Sequence, residues 1–168
     1  MGLKKKSYRF DTATDSGFFD KLVNPSFEQE SSIENITERI RNDVSPYCSK
    51  GEQGGNEECC HCIKYIALAG HGSAGMIVLG DDVFASWQLD FYIKQGKLPS
   101  NSTKRDFAMF DLLNTIRNLL CEDGLVEFIT CSTGESEDAV DTFNKFFGKG
   151  KVKTYKGLVK LVFGSVKE

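Results

Sequence analysis

Apolar positions are sparse and scattered over the first sixty or so residues, then fall into regular blocks from Ile63 onward. In the early stretch, Ile33, Ile36, Ile40 and Val44 recur at helical spacing and predict a helix over residues 32–44. Ser31 and Glu34 read as its capping box, and Pro46 stops it. Residues 7–13 are expected to form a short strand. Residues 50–58 (KGEQGGNEE) read as a mobile loop.

The later blocks are sharper. Residues 63–69 (IKYIALA) form a short, nearly all-apolar run ending at glycine, as in a strand buried on both faces. Residues 76–79 are a second short strand or hairpin arm, and residues 83–95 are helical or irregular. A strong helix is expected over 103–121, with Phe107, Phe110, Leu113, Ile116 and Leu120 on one stripe and Gly124 closing it. Residues 125–130 (LVEFIT) form another strand, and 136–147 a helix with Val140, Phe143 and Phe147 turned inward and Gly148 as its stop. Two further strands are expected at 152–155 and 158–163.

Strand, helix, strand, helix, strand predicts an α/β fold: an open, mostly parallel sheet with helices on both faces. At 168 residues the chain has the length of one domain, residues 1–168. A polar N-terminal region (1–62) carries one helix and a cysteine cluster, and the core spans 63–168. A net charge of −3 argues against nucleic acid as a partner. No apolar run approaches the roughly 20 residues of a membrane span. The basic start has no apolar segment behind it, so a cytoplasmic location with reduced cysteines is expected, export by a non-classical route being the alternative.

Functional residues in such sheets gather beyond the carboxyl ends of the strands. His71, one of two histidines, follows the first buried strand in Ala69-Gly-His-Gly-Ser-Ala-Gly75. Cys131 follows the second in Phe128-Ile-Thr-Cys-Ser-Thr-Gly134. A thiol needs a nearby base to become a nucleophile, and an imidazole can take that proton and return it. The amides of Gly72 and Cys131 are candidate donors to a developing oxyanion. Ser73 fails as a hydrolase elbow because the glycine two residues before it and a downstream histidine are both absent. A thiol phosphatase would need arginine six residues beyond Cys131, where Glu137 stands. No phosphate-binding or dinucleotide glycine pattern occurs.

Cys48, Cys59, Cys60, His61 and Cys62 crowd together. Cys59 and Cys62 have zinc-knuckle spacing, with Cys48 or His61 available to complete a structural zinc site. Disulfides and free thiols are the open alternatives.

The segments YIALAGHG (65–72) and LVEFITC (125–131) resemble the caspase-like cysteine peptidases, in which one apolar strand leads to His-Gly and a second to Cys. GHGSAGMIVLGDD (70–82) looks most like the bacterial members of that group, the gingipain, legumain and CHAT types. The resemblance covers roughly residues 63–163. It implies a three-layer caspase-like fold whose polar N-terminal third is reduced, lacking a full set of the two strands and helix that the family places before the His strand. It also implies a His71–Cys131 dyad that hydrolyses peptide bonds of a peptide or protein substrate, and no catalytic cofactor. The caspase lead-in to the nucleophile is replaced by Ile129 and Thr130. Asp81, Asp82, Glu135 and Asp138 are candidates for favouring a basic residue at the cleavage site. Two other readings stand beside the peptidase: a non-catalytic interaction module on the same scaffold, and a zinc- or redox-sensing protein centred on Cys48–Cys62.

Overall fold

Along residues 5–10, exposed Lys5, Ser7 and Arg9 alternate with buried Tyr8 and Phe10. This two-residue period makes a strand with one face in the core. The computed structural model describes residues 4–12, 27–30, 32–44, 61–157, 160–162 and 165–167. Strand β1 spans Lys4–Asp11, β2 is the short Glu28–Gln29, and helix α1 spans Ile33–Val44. The polar first third therefore supplies two strands and a helix, more than its composition suggested. Only one face of β1 is apolar, which diluted its signal.

Helix α1 buries Ile33, Ile36, Ile40 and Val44 as its spacing predicted. Its cap is Ser32, whose Oγ accepts from the Asn35 amide at 3.2 Å; Ser31 lies outside the described residues. Next come β3 (His61–Ala69), β4 (His71–Ser73), β5 (Met76–Leu79) and β6 (Asp82–Ala85). Helices α2 (Ser86–Gln95) and α3 (Lys104–Leu119) follow, then β7 (Leu120–Ile129), α4 (Glu137–Phe147), β8 (Val152–Lys153), β9 (Lys160–Val162) and β10 (Ser165–Lys167). Thr103 and Asp106 form the capping box of α3. That helix ends at Leu119, before Gly124, and its buried face is Met109, Leu112, Leu113 and Ile116, while Phe107 is exposed. Gly124 instead lies within β7, so close to β3 that a Cβ there would sit 2.7 Å from the Ile63 carbonyl oxygen.

The main sheet has the order β2-β1-β3-β7-β8, and every neighbouring pair in it is parallel. Strands β4, β5 and β6 make a separate antiparallel meander, and β9 pairs with β10. Cross-strand register assigns the faces. Tyr8, Ile66 and Val126 are aligned, as are Phe10, Leu68 and Phe128. These residues share one apolar core with Leu89 of α2 and the buried faces of α1, α3 and α4. The opposite face carries Ala67, Ala69 and Ile129, packed with Phe27 and Tyr155, and no helical residue joins that cluster. Among the described residues, the helices thus pack on one face of the sheet, not on both. The expectation of two helical layers came from reading β3 and β7 as apolar on both sides. On the second face, small alanines and the carboxylate of Glu127 stand in place of a large apolar surface.

The strand-start cysteines are the other departure. Cys62 and Cys121 are joined in a disulfide, with their Cα atoms 5.1 Å apart. Both stand at the amino ends of neighbouring strands, whose pairing begins at Ile63 and Leu120. That spacing lies within the range a disulfide spans. The expectation of reduced thiols does not hold for this pair.

Candidate functional site

The carboxyl edge of the sheet is levelled by register. Asp11, Ala69 and Ile129 are cross-strand partners on β1, β3 and β7. The Thr12 amide and hydroxyl both donate to the Ala69 carbonyl, at 3.0 and 2.8 Å. The Gly70 amide donates to the Ile129 carbonyl at 3.2 Å. His71 and Cys131 each follow two residues past this rung. His71 opens β4 and is exposed; Cys131 is half-buried and carries a free thiol.

Gly72 brings the two segments together. A Cβ placed on it would lie 2.5 Å from Thr133 Oγ1, 2.8 Å from the Cys131 carbonyl oxygen and 2.9 Å from Thr130 Cβ. Only a residue without a side chain permits that approach. The backbone beside His71 is therefore packed directly on the turn that holds Cys131.

That turn is held from two sides, by residues 155–157 and by the hairpin. Ser132, directly after Cys131, has φ 55°, the one positive φ among the described non-glycine residues. Such a left-handed residue costs about 1–2 kcal/mol. It is kept there by backbone bonds from the Ser132 amide to the Gly157 carbonyl (2.7 Å) and from the Gly134 amide to the Tyr155 carbonyl (2.8 Å). Glu135 accepts from the Gly157 amide at 3.1 Å. From the hairpin side, the fully buried Thr133 donates to the Met76 carbonyl at 2.9 Å. Thr130 and Thr133 hydroxyls lie 2.7 Å apart.

Of the acidic candidates, Glu135 lies in the Cys131 turn but is engaged with Gly157. Asp82 stands on β6, the strand of the meander farthest from His71. Its carboxylate faces Arg105 at 3.6 Å. Burial raises its pKa, and the Arg105 charge opposes that only in part. Asp81 is exposed, and its carbonyl accepts from Arg105 at 3.2 Å. Asp138 lines an open groove of about 370 Å³ between α2 and α4, together with Ser86, Trp87, Asp90, Asp141 and Lys145. The structure does not gather these four carboxylates around Cys131.

The proposed metal set is corrected at Cys62, whose sulfur is bonded to Cys121 and not available as a zinc ligand. Cys48 and Cys59 lie outside the described residues, as does the side chain of His61. Among the described residues, no group of three or more His, Cys, Asp or Glu side chains is arranged to hold a metal ion. No helix among them is long and apolar enough to cross a membrane.

Sequence reasoning missed several residues around the site. Asp11 is buried at the end of β1 and accepts from Gln29 at 2.8 Å. Glu127, also buried, accepts from the hydroxyls of Tyr65 and Tyr155 and from Lys153 at 2.9 Å. Burial pushes the Glu127 pKa up, but the three donors outweigh it and hold the carboxyl below its ordinary value. The only local signal for these residues was a polar side chain inside an apolar run, as in Leu125-Val-Glu-Phe-Ile. Comparison of the chain with protein-family models, curated proteins and solved structures found no match.

Proposed function

We propose that the chain is a cysteine hydrolase of caspase-like architecture that cleaves peptide bonds, with Cys131 as nucleophile and His71 as its acid–base partner. The observation that carries this reading is the shared rung. A histidine and a free thiol follow neighbouring parallel strands from the same level, and Gly72, beside the histidine, packs directly on the turn of the thiol. Further support comes from β1, β2 and α1, the two strands and helix that the resemblance asks for ahead of the His strand.

In the proposed reaction, His71 takes the Cys131 thiol proton as Sγ attacks the scissile carbonyl carbon. The amides of Gly72 and Cys131 donate to the resulting oxyanion. As the carbon–nitrogen bond breaks, the imidazolium returns its proton to the leaving amine, and a thioester is left on Cys131. Water, deprotonated by His71, then attacks the thioester, releasing the carboxylic acid and restoring the thiol.

The test is a panel of fluorogenic peptide amides with Arg, Lys, Asp or Asn at the cleaved position, assayed beside a thiol-directed probe. Turnover of at least one substrate is expected. Cys131→Ala and His71→Ala should each remove it, by a factor on the order of 10³ or more, with the melting temperature retained. No turnover, combined with Cys131 labelling no faster than an unactivated thiol, would overturn the catalytic reading and favour a binding module on this scaffold.

A further inference from the structure

We infer that Thr133 is a positioning residue that sets the distance between the hairpin bearing His71 and the turn bearing Cys131. The inference rests on the proposed dyad and concerns how that dyad is held.

A hydroxyl has one proton to give. The Met76 carbonyl at 2.9 Å and the Cys131 carbonyl at 3.5 Å can only accept, so Thr133 is the donor to them and gives its proton mainly to the nearer, Met76. The 2.7 Å contact between Thr130 and Thr133 is then a donation from Thr130 to Thr133. The result is a one-directional relay, Thr130 to Thr133 to Met76, in which both threonines are fully buried.

Its two ends belong to different sheets. Thr130 directly follows β7 of the main sheet and precedes Cys131. Met76 opens β5 and is paired with Ser73 on β4, two residues from His71. No main-sheet ladder joins the meander to β7, so the Thr133 hydroxyl supplies a polar cross-link where backbone pairing does not. It also occupies the space that a side chain on Gly72 would need, at 2.5 Å. Losing the hydroxyl removes the only side-chain bond described between the Cys131 turn and the Met76 carbonyl and leaves the buried Thr130 hydroxyl without its acceptor, and the hairpin can then move away from the turn. A shift of about 1 Å in such a pair is enough to lower a reaction rate by about a hundredfold.

The experiment measures the rate at which iodoacetamide alkylates Cys131 at neutral pH, followed by mass spectrometry of the Cys131 peptide. His71→Ala is expected to slow alkylation about tenfold by removing the base that takes the thiol proton. Thr133→Val, equal in size but without the hydroxyl, should approach the His71→Ala rate. Thr133→Ser, which keeps the hydroxyl, should stay within about threefold of the native rate. Ile36→Val, a core change on α1 remote from the edge, controls for loss of stability and should leave the rate unchanged. If Thr133→Val does not fold, Thr133→Ala removes the same hydroxyl from a smaller side chain and should give the same loss.

The failures separate cleanly. Native and His71→Ala proteins reacting at one rate would overturn the dyad. A slow His71→Ala protein beside a fast Thr133→Val protein would leave the dyad standing and overturn the role of Thr133. Equal slowing by Thr133→Val and Thr133→Ser would also overturn it, since the hydroxyl would then not be the cause.

Discussion

His71 and Cys131 stand at one level of the sheet edge, each two residues beyond Ala69 and Ile129, which are direct partners on β3 and β7. Their alignment follows from the register of β3 and β7. What is adjustable is the approach of the hairpin to the turn, and the contact at Gly72 governs it.

Gly72→Ala tests that contact. The new methyl would meet the Cys131 carbonyl oxygen at 2.8 Å and buried Thr133 Oγ1 at 2.5 Å, neither of which is the free end of a flexible side chain. The expected outcome is a loss of about 1–3 kcal/mol in urea unfolding, together with slower alkylation of Cys131. Unchanged stability would mean that hairpin and turn do not touch in solution.

Glu127 and its tyrosine partners are expected to contribute to both pH limits of stability. Its carboxyl is held below the ordinary glutamate value by Lys153, Tyr155 and Tyr65 against the opposing effect of burial. A depressed folded-state pKa adds stability above the ordinary value of about 4.3, and that stability is lost as pH falls through the folded value. The pKa values of Tyr65 and Tyr155 are raised by burial and by their bonds to Glu127. Their contribution is therefore present below about pH 10 and lost as pH rises beyond it. Urea unfolding across pH should show both limbs for the native chain. Glu127→Gln should flatten the acid limb and lower stability at pH 7 by about 1–3 kcal/mol. An acid limb identical in the two proteins would show that Glu127 does not carry it.

The Cys62–Cys121 bridge ties residues 59 apart in sequence, a loop whose closure stabilises by about 4 kcal/mol in the chain-entropy account. Peptide mapping without reductant should recover the two cysteines linked. Reduction, or Cys62→Ser with Cys121→Ser, should lower stability by roughly 2–4 kcal/mol. Cys131 should alkylate without prior reduction. Identical melting with and without reductant would rule out a structural bridge.

Much of the fold could be read locally. The stripe of α1, the buried runs of β3 and β7, and Phe143 and Phe147 of α4 all declare themselves by period, because each depends on residues three, four or two places away. Strand β4 did not, since three residues hold no period. Phe107 misled because an apolar residue beside a stripe is not thereby part of the buried face, and here it is exposed.

By itself, the order of residues determined that two apolar strands lead toward His71 and Cys131, that the chain is α/β, and that helices follow them. Only the tertiary structure decided that β3 and β7 are neighbours in matched register, and that the described helices share one face. It also joined Cys62 to Cys121, gathered Tyr65, Tyr155 and Lys153 on Glu127, and set Thr133 beneath Met76. The division has one physical cause. Periodicity and capping act over a single turn or rung, whereas each of these pairings joins residues distant in sequence, and their positions exist only once strand order and register are set.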